Sequence, residues 1–437
     1  MYLITRVEIE GFWGKYKIET DLHPDVNIFI GKNGTGKTTF INMLYAVLKV
    51  DLRTLLNLEF KKITILLRSE KSKTKKISVT KSESSESAIQ NITYKLANKS
   101  YPFSISARDV ELIERNMRRH SLISESLFEL GRKISDLINI SNLSVHRATS
   151  EYTNSPEDEF RASRRIDRPN TLPIDQRLND LIGRLKGYQL ILSKQADEIS
   201  SNLQKDVLRS MLYNPNFDTF SLSPNSELEL GKEKQELTKA YKELGALDEP
   251  TKQKIDKHIR VLNQSLASIR KAQDSKDQNY LRVDDIMPMS LLKRTQHVID
   301  LALKAEQNKQ NVFQLINLFL QTINEFIKDK DVSITANGDL EIKKGQKVIL
   351  SPTISNISSG EKQLLILLTE TLLQKSEPFI FFADEPELSL HIEWQAQIIP
   401  SIKKLNDSAQ IIVATHSPEI AAGRKKNLIS MEKILHE

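Results

Sequence analysis

The sequence contains no cysteine. That excludes a disulfide framework and any thiolate metal centre, and it fits a chain working in a reducing compartment, so a cytoplasmic location is expected. Long apolar runs are missing too. Phe379 to Ala383 is far too short to cross a bilayer, and the N-terminal MYLITRVEIE carries Arg6, Glu8 and Glu10 where a secretory leader needs an apolar stretch. No membrane partner is expected. Glycine and proline number only 14 each and no segment is low in complexity, which excludes collagen-like and disordered chains. What is there is a hydrophobic share of 39%, enough for a core, and 27% charged residues. The 437 residues exceed one ordinary core, so a large domain with a sizeable insertion, or two domains, is expected.

The net charge of +6 is unevenly spread, because ten Lys or Arg face only three Glu between Phe60 and Ser100, a local +7. Two readings fit. The segment, with Lys71, Lys73, Lys75 and Lys76 at its centre, meets a polyanion, either DNA or an acidic DNA-mimicking protein. Alternatively it is a pair of solvated, lysine-rich edge strands whose charge discourages aggregation.

Hydrophobic periodicity divides the chain. Strands are predicted at Leu3 to Glu10, Lys15 to Glu19 and Val26 to Ile30, then a helix from Gly36 to Lys49 and further strands at Ile63 to Arg68, Ile77 to Thr80 and Ile92 to Leu96. From Asp109 to Lys330 the pattern is helical, with one stripe through Leu178, Leu181, Leu185, Tyr188, Leu192 and Ile199 and a seven-residue repeat at Leu230, Leu237 and Leu244. Loops are expected at Tyr213 to Ser226 and Asp248 to Thr251. After Asp331 a three-stranded meander turns at Asn337-Gly338, followed by a helix (Ser359 to Gln374), an apolar strand (Phe379 to Ala383), a helix (Glu393 to Leu405) and another apolar strand (Gln410 to Ala414). Strand alternating with helix at both ends implies one α/β fold assembled from residues 1–108 and 331–437, with 109–330 as a mainly helical insertion.

Gly31-Lys32-Asn33-Gly34-Thr35-Gly36-Lys37-Thr38 fits G-x-x-x-x-G-K-[ST] between an apolar strand and a helix. In such a loop backbone N–H groups and the helix N-terminus cradle phosphates, Lys37 reaches the β- and γ-phosphates, and Thr38 holds Mg²⁺, with Thr39 beside it in the first turn. ATP and Mg²⁺ are therefore the expected ligands. The strand Phe379 to Ala383 ends in Asp384 and Glu385. Parallel strands deliver their C-terminal ends to the phosphate site, so Asp384 is expected at the cation and Glu385 at the attacking water.

Ile357-Ser358-Ser359-Gly360-Glu361-Lys362-Gln363 opens an apolar helix, with Ser359 as a possible N-cap and Gly360 allowing close approach of an anion. This stretch resembles the signature motif of ABC-type ATPases in the S-x-G-E form of the SMC and RecF class. Asp384-Glu385-Pro386-Glu387-Leu388-Ser389-Leu390-His391 resembles the DEPE-x-x-LH stretch of OLD-type and related anti-phage ATPases, although Ile392 stands where proline is usual. Ala414-Thr415-His416-Ser417-Pro418 resembles the family's switch-histidine motif. Thr38 and Ser359 lie some three hundred residues apart, much farther than in a transporter subunit.

The resemblance implies an ABC-type ATPase head of the SMC/RecF/OLD class. In such a head His416 senses the γ-phosphate, and Ser359 and Gly360 complete the site of a second copy, which implies a homo-oligomer. It is similar to the stand-alone ATPase subunits of anti-phage systems such as PARIS and Septu, whose partner is a separate nuclease. The sequence ends at Glu437, too soon after His416 for the nuclease domain that follows in OLD proteins, and His120, His146, His258 and His297 are scattered. The effector is accordingly expected on another chain. The alternatives are a RecF-like clamp for DNA repair or chromosome maintenance, and a nuclease concealed in the insertion.

Overall fold

The structure, a computed structural model, describes residues 1–69, 71, 73–83, 89–106, 121–144, 173–213, 230–275, 283–335, 337–345, 347–350 and 357–436. It divides into two compact units, Met1–Gly187 with Ile316–Glu437, and Tyr188–Leu315.

The chain opens with β1 (Tyr2–Phe12), β2 (Tyr16–Asp21), β3 (Val26–Ile30), α1 (Lys37–Lys49) and α2 (Leu52–Asn57). Four strands follow, β4 (Lys62–Ser69), β5 (Thr74–Glu83), β6 (Ile89–Leu96) and β7 (Lys99–Ser106), then α3 (Ser121–Ser135) and β8 (Ile140–Ser144). Long helices come next: α4 (Pro173–Ser210), α5 (Leu230–Glu243), α6 (Glu249–Ser275) and α7 (Val283–Phe326). The meander is β9 (Asp331–Ile334), β10 (Leu340–Lys344) and β11 (Lys347–Leu350). The remainder comprises α8 (Ser359–Leu372), β12 (Phe379–Asp384), α9 (Ile392–Gln395), α10 (Ile398–Leu405), β13 (Ala409–Ala414), α11 (Pro418–Ala421), β14 (Leu428–Ser430), α12 (Met431–Ile434) and β15 (Leu435–His436).

A five-stranded parallel sheet of order β14-β3-β13-β12-β8 is the frame. β3 from the N-terminal region pairs with β13 from the C-terminal region, Ile28 opposite Val413, so the two ends of the chain do build one sheet. β12 and β13 are apolar except for Asp384 at the end of β12 and Gln410 in β13, because neither face of a parallel sheet meets water. A seven-stranded antiparallel sheet, β15-β2-β1-β4-β5-β6-β7, lies in the same unit. Buried Gln410 ties the sheets together: its Nε2 donates to Ile4 O at 2.7 Å and His23 O at 2.8 Å, and its Oε1 accepts from Ile4 N at 2.9 Å. Those bonds are what make a buried amide tolerable in this core. One face of α1 (Phe40, Ile41, Leu44, Val47) joins Ile63, Ile77 and Tyr94 of the antiparallel sheet and Ile380 and Phe382 of β12 in one apolar core. Each fully buried aliphatic or aromatic side chain there contributes about 1.5–3 kcal/mol.

Among the described residues of the second unit the helices bury apolar side chains: Leu192 on α4, Leu237 and Ala240 on α5, Ile255, Leu262 and Ile269 on α6, and Leu292 and Ala305 on α7. This is ordinary amphipathic packing.

Several local expectations are corrected. The helical pattern of 109–330 does not extend to Ile140–Ser144, which is a strand parallel to β12, Ile140 opposite Ile380. The helix expected over Glu393 to Leu405 is broken into α9 and α10. Asp248 to Thr251 is a helix start, with Thr251 N donating to Asp248 Oδ1 at 2.8 Å. The expected loop from residue 214 on, and the basic run Arg161, Arg164, Arg165 and Arg168, lie outside the described residues. Among the described residues no helix is long and apolar enough to cross a membrane.

Candidate active site

At the C-terminal ends of β3, β12 and β13 the structure brings together most of the residues singled out above. β3 runs into the loop Gly31 to Gly36, and α1 starts at Lys37. Gly36 has φ +88, and a Cβ there would stand 2.7 Å from the Phe12 ring, so only glycine both turns the chain and lets the β1–β2 turn pack against the loop. Lys37 is buried, and its Nζ donates to Gly31 O at 2.8 Å and Lys32 O at 3.1 Å. Burial pushes its ammonium pKa down, while the negative charges of Glu385, Glu432, Asp384 and Glu387 oppose the shift. Lys32, Asn33 and Gly34 are exposed at the mouth, and Thr35 and Thr39 are half-buried.

Thr38 Oγ1 donates to Asp384 Oδ1 at 3.0 Å, joining the first turn of α1 to the end of β12. Two hard oxygens facing one another suit Mg²⁺, which takes one or two protein oxygens and completes its shell with phosphate and water. Among the described residues no group of three or more His, Cys, Asp or Glu is arranged to hold a metal ion by itself. A cation at Thr38 and Asp384 would therefore be shared with phosphate oxygens.

Glu385 follows with φ +50, a left-handed conformation that is unfavourable for a side chain of this kind and is held by Glu385 N donating to Ala414 O at 2.8 Å. His416 Nε2 stands 3.9 Å from Glu385 Oε1. A carboxylate, an imidazole and an ammonium thus share one strand edge, where a base can take a proton from water beside a polyphosphate.

The signature-like segment differs in detail from its expectation. The N-cap of α8 is Ser358, not Ser359: Glu361 N donates to Ser358 Oγ at 3.3 Å, and Ser358 N donates back to Glu361 Oε2 at 2.8 Å, a reciprocal capping box. Burial drives the Glu361 carboxyl up, but bonds from Lys330 and Ser358 outweigh it and leave the pKa below its ordinary value. Ser359 is consequently left exposed in the first turn. Gly360 is required inside its own chain, since a Cβ would run into the carbonyl oxygen of Ser389. Gln363 Nε2 donates to Pro386 O at 3.0 Å, so α8 and the turn after β12 are packed as one piece. Among the described residues no hydrogen bond joins Ser359 or Gly360 to the phosphate loop of the same chain.

Two residues at this edge were not found from the sequence. Glu432, at the start of α12, accepts from Lys32 N at 2.7 Å through Oε1 and from Ser430 Oγ at 2.8 Å through Oε2. The N–H groups of Lys32 and of Glu432 itself, with the Ser430 hydroxyl, hold its pKa below the ordinary carboxylate value. No sequence pattern connects positions four hundred residues apart. Glu387 is the other, and it had a signal, its place inside the DEPE-x-x-LH stretch.

The AAA ATPase domain family matches residues 1–421. This chain belongs to that family. Among curated relatives, the ATPase is 37% identical over 82 residues to "Retron Ec83 probable ATPase" of Escherichia coli, a stretch covering 16% of this chain and 15% of that protein. It is 26% identical over 159 residues to "Retron Vc95 probable ATPase" of Vibrio cholerae serotype O1 biovar El Tor, covering 33% of this chain and 29% of that protein. The matched stretches span less than a third of either relative's length. Among solved structures, the ATPase aligns with the Smc head domain with an extended coiled coil bound to the C-terminal domain of ScpA from Pyrococcus furiosus, at 15% identity and a TM-score of 0.40, over 98% of this chain and 93% of that one. The Smc head domain with a coiled coil and joint from Pyrococcus yayanosii aligns at 15% identity and a TM-score of 0.40, over 98% of this chain and 95% of that one.

Proposed function

We propose that the chain is an ATP-binding and ATP-hydrolysing switch subunit of an anti-phage system of the retron type, controlling a separate effector of nuclease class. The observation that carries the hydrolytic part is the convergence of Lys37, Thr38, Asp384, Glu385 and His416 on one edge of the parallel sheet. Lys37 receives the β- and γ-phosphates once its bonds to Gly31 O and Lys32 O are exchanged. Thr38 and Asp384 would hold Mg²⁺, which would supply positive charge against that developing on the phosphate. Glu385 orients the attacking water and accepts its proton, and His416 faces the γ-phosphate. The defence role is supported by the names of the two retron relatives and by the DEPE-x-x-LH resemblance.

The active site is read as composite, with Ser359 and Gly360 of one copy facing the nucleotide on Lys37 of another. The support is that Ser359 sits exposed at the start of the 14-residue helix α8, where N–H groups and the helix dipole favour an anion. A second reading, a DNA-engaging clamp of the RecF kind, is favoured by the exposed Lys71, Lys73 and Lys76.

The test is cleavage of plasmid, linear DNA or tRNA with ATP and Mg²⁺ or Mn²⁺, by the chain alone and with co-purifying protein. ATP turnover without cleavage by the chain alone, and cleavage once the partner is present, is the expected result. Cleavage that survives removal of every partner and is lost on mutating this chain contradicts it.

A further inference from the structure

The turn that carries His416 is anchored by a carboxylate with no role in the reading above. Glu387 Oε1 accepts from Thr415 Oγ1 at 2.6 Å, from His416 N at 2.9 Å and from Ser417 N at 3.1 Å. Its second oxygen, Oε2, is buried without a hydrogen-bond partner. Collecting three donors on one oxygen while the other has none is a poor way to solvate a carboxylate but an effective way to fix a turn. Two of the donors are main-chain groups, those of His416 itself and its neighbour. Hydrogen bonds to a charged acceptor are stronger than those between neutral groups.

Glu387 is itself held from behind. Gln363 Nε2 donates to the preceding carbonyl, Pro386 O, and Gly360 packs against Ser389 O. On the His416 side, Ser417 Oγ donates to Gln395 Oε1 at 2.7 Å and accepts from Glu419 N and Ile420 N. Glu385, two residues before Glu387, is tied to the same strand end through Ala414 O. One side chain therefore bridges the stretch bearing Glu385 and the stretch bearing His416, whose functional atoms are 3.9 Å apart.

We infer that Glu387 is a positioning residue for ATP turnover: it holds the His416 turn in register with Glu385 and acts through His416, touching neither nucleotide nor water. The inference rests on the assignment of Glu385 and His416 to turnover.

The experiment compares ATP turnover, ATP affinity and thermal midpoint for the full chain and for Glu387→Ala, Glu387→Gln, His416→Ala and the double variant Glu387→Ala/His416→Ala. Glu387→Ala is expected to lower kcat by up to about 100-fold, the scale of a misplaced active-site group, with KM for ATP within about twofold because the hydrogen bonds of Lys37 go to Gly31 O and Lys32 O and not to Glu387. Glu387→Gln, whose amide oxygen can accept the same three donors, should retain most of the turnover. The double variant should be no slower than His416→Ala alone. Should Glu387→Ala fail to fold, Thr415→Val, which removes one donor, takes its place in the same cycle.

Equal losses in Glu387→Gln and Glu387→Ala, or a full additional loss in the double variant, overturn the positioning role. If His416→Ala turns over at the wild-type rate, the assignment of His416 falls, and the positioning role with it. A slow His416→Ala with additive losses refutes the positioning role alone.

Discussion

The turn after β12 and the hairpin joining β4 to β5 both concentrate charge, and they use it in opposite ways. Along the edge of the parallel sheet each ionic group named here is committed to a partner: Asp384 to Thr38, Glu387 to the His416 turn, Lys37 to its own loop, Glu432 to Lys32 N. The hairpin leaves Lys71, Lys73 and Lys76 exposed. Yet part of the basic excess counted between Phe60 and Ser100 is spent on the fold. Lys81 Nζ donates to Leu56 O at 2.6 Å and Leu58 O at 2.9 Å at the C-terminal end of α2, Lys62 pairs with Glu10 at 3.3 Å, and Lys99 pairs with Glu129 at 2.7 Å. Net charge in a window therefore overstates what a partner would meet, whereas a spaced motif at a strand end understates how tightly its residues are interlocked.

The largest effect expected from breaking this contrast is at Lys37. Lys37→Ala removes a buried cation that the phosphate loop already holds in place, and ATP affinity should fall at least about 100-fold. Titration calorimetry decides it, and equal affinity would remove Lys37 from the site. Next comes Gly360→Ala. Forcing a methyl group against Ser389 O should destabilise the fold by about 1–3 kcal/mol and slow turnover by moving the turn that carries Glu387. A thermal midpoint and turnover rate both equal to wild type would show that the contact yields without consequence.

A smaller, salt-dependent effect is expected at the hairpin. Reversing Lys71, Lys73, Lys75 and Lys76 to Glu should lower the slope of log affinity against log salt for a DNA ligand by roughly 3–4 and leave ATP turnover unchanged. An unaltered slope would identify these lysines as a solvated edge. The smallest effect is at Glu432. Because its folded-state pKa is depressed, its contribution is present above the ordinary carboxylate pKa and lost as pH falls through the depressed value. Glu432→Gln should therefore lower the thermal midpoint near neutral pH, and the difference from wild type should shrink as the pH falls below the ordinary carboxylate range. A constant difference across that range would show that the charge of Glu432 is irrelevant to holding Lys32.

The sequence carried the head of the molecule well, for a physical reason. β3, β12 and β13 are mostly apolar runs because both faces are buried, with Asn27 and Gln410 as buried polar exceptions, and the phosphate loop sits at a strand-to-helix junction, so periodicity and motif agree. β8 was hidden because ISNLS is short and half polar, and it becomes a strand only through its pairing with β12. The capping serine was misplaced by one residue because Ser358 and Ser359 are equivalent until Glu361 selects one of them. Glu432 was invisible since its partner, Lys32, is distant in sequence. Glu387 lay in plain view within a motif, but which of four consecutive motif residues anchors the His416 turn is decided only by the register between β12 and β13.

The most direct measurement is ATP binding and turnover by Glu385→Gln, made on the same preparation. The Lys37 and Thr38–Asp384 contacts survive in that variant, so ATP should bind with wild-type affinity while turnover drops by about 100- to 10,000-fold, the loss of a general base. Turnover at the wild-type rate in Glu385→Gln would contradict the assignment of hydrolysis to this edge of the parallel sheet.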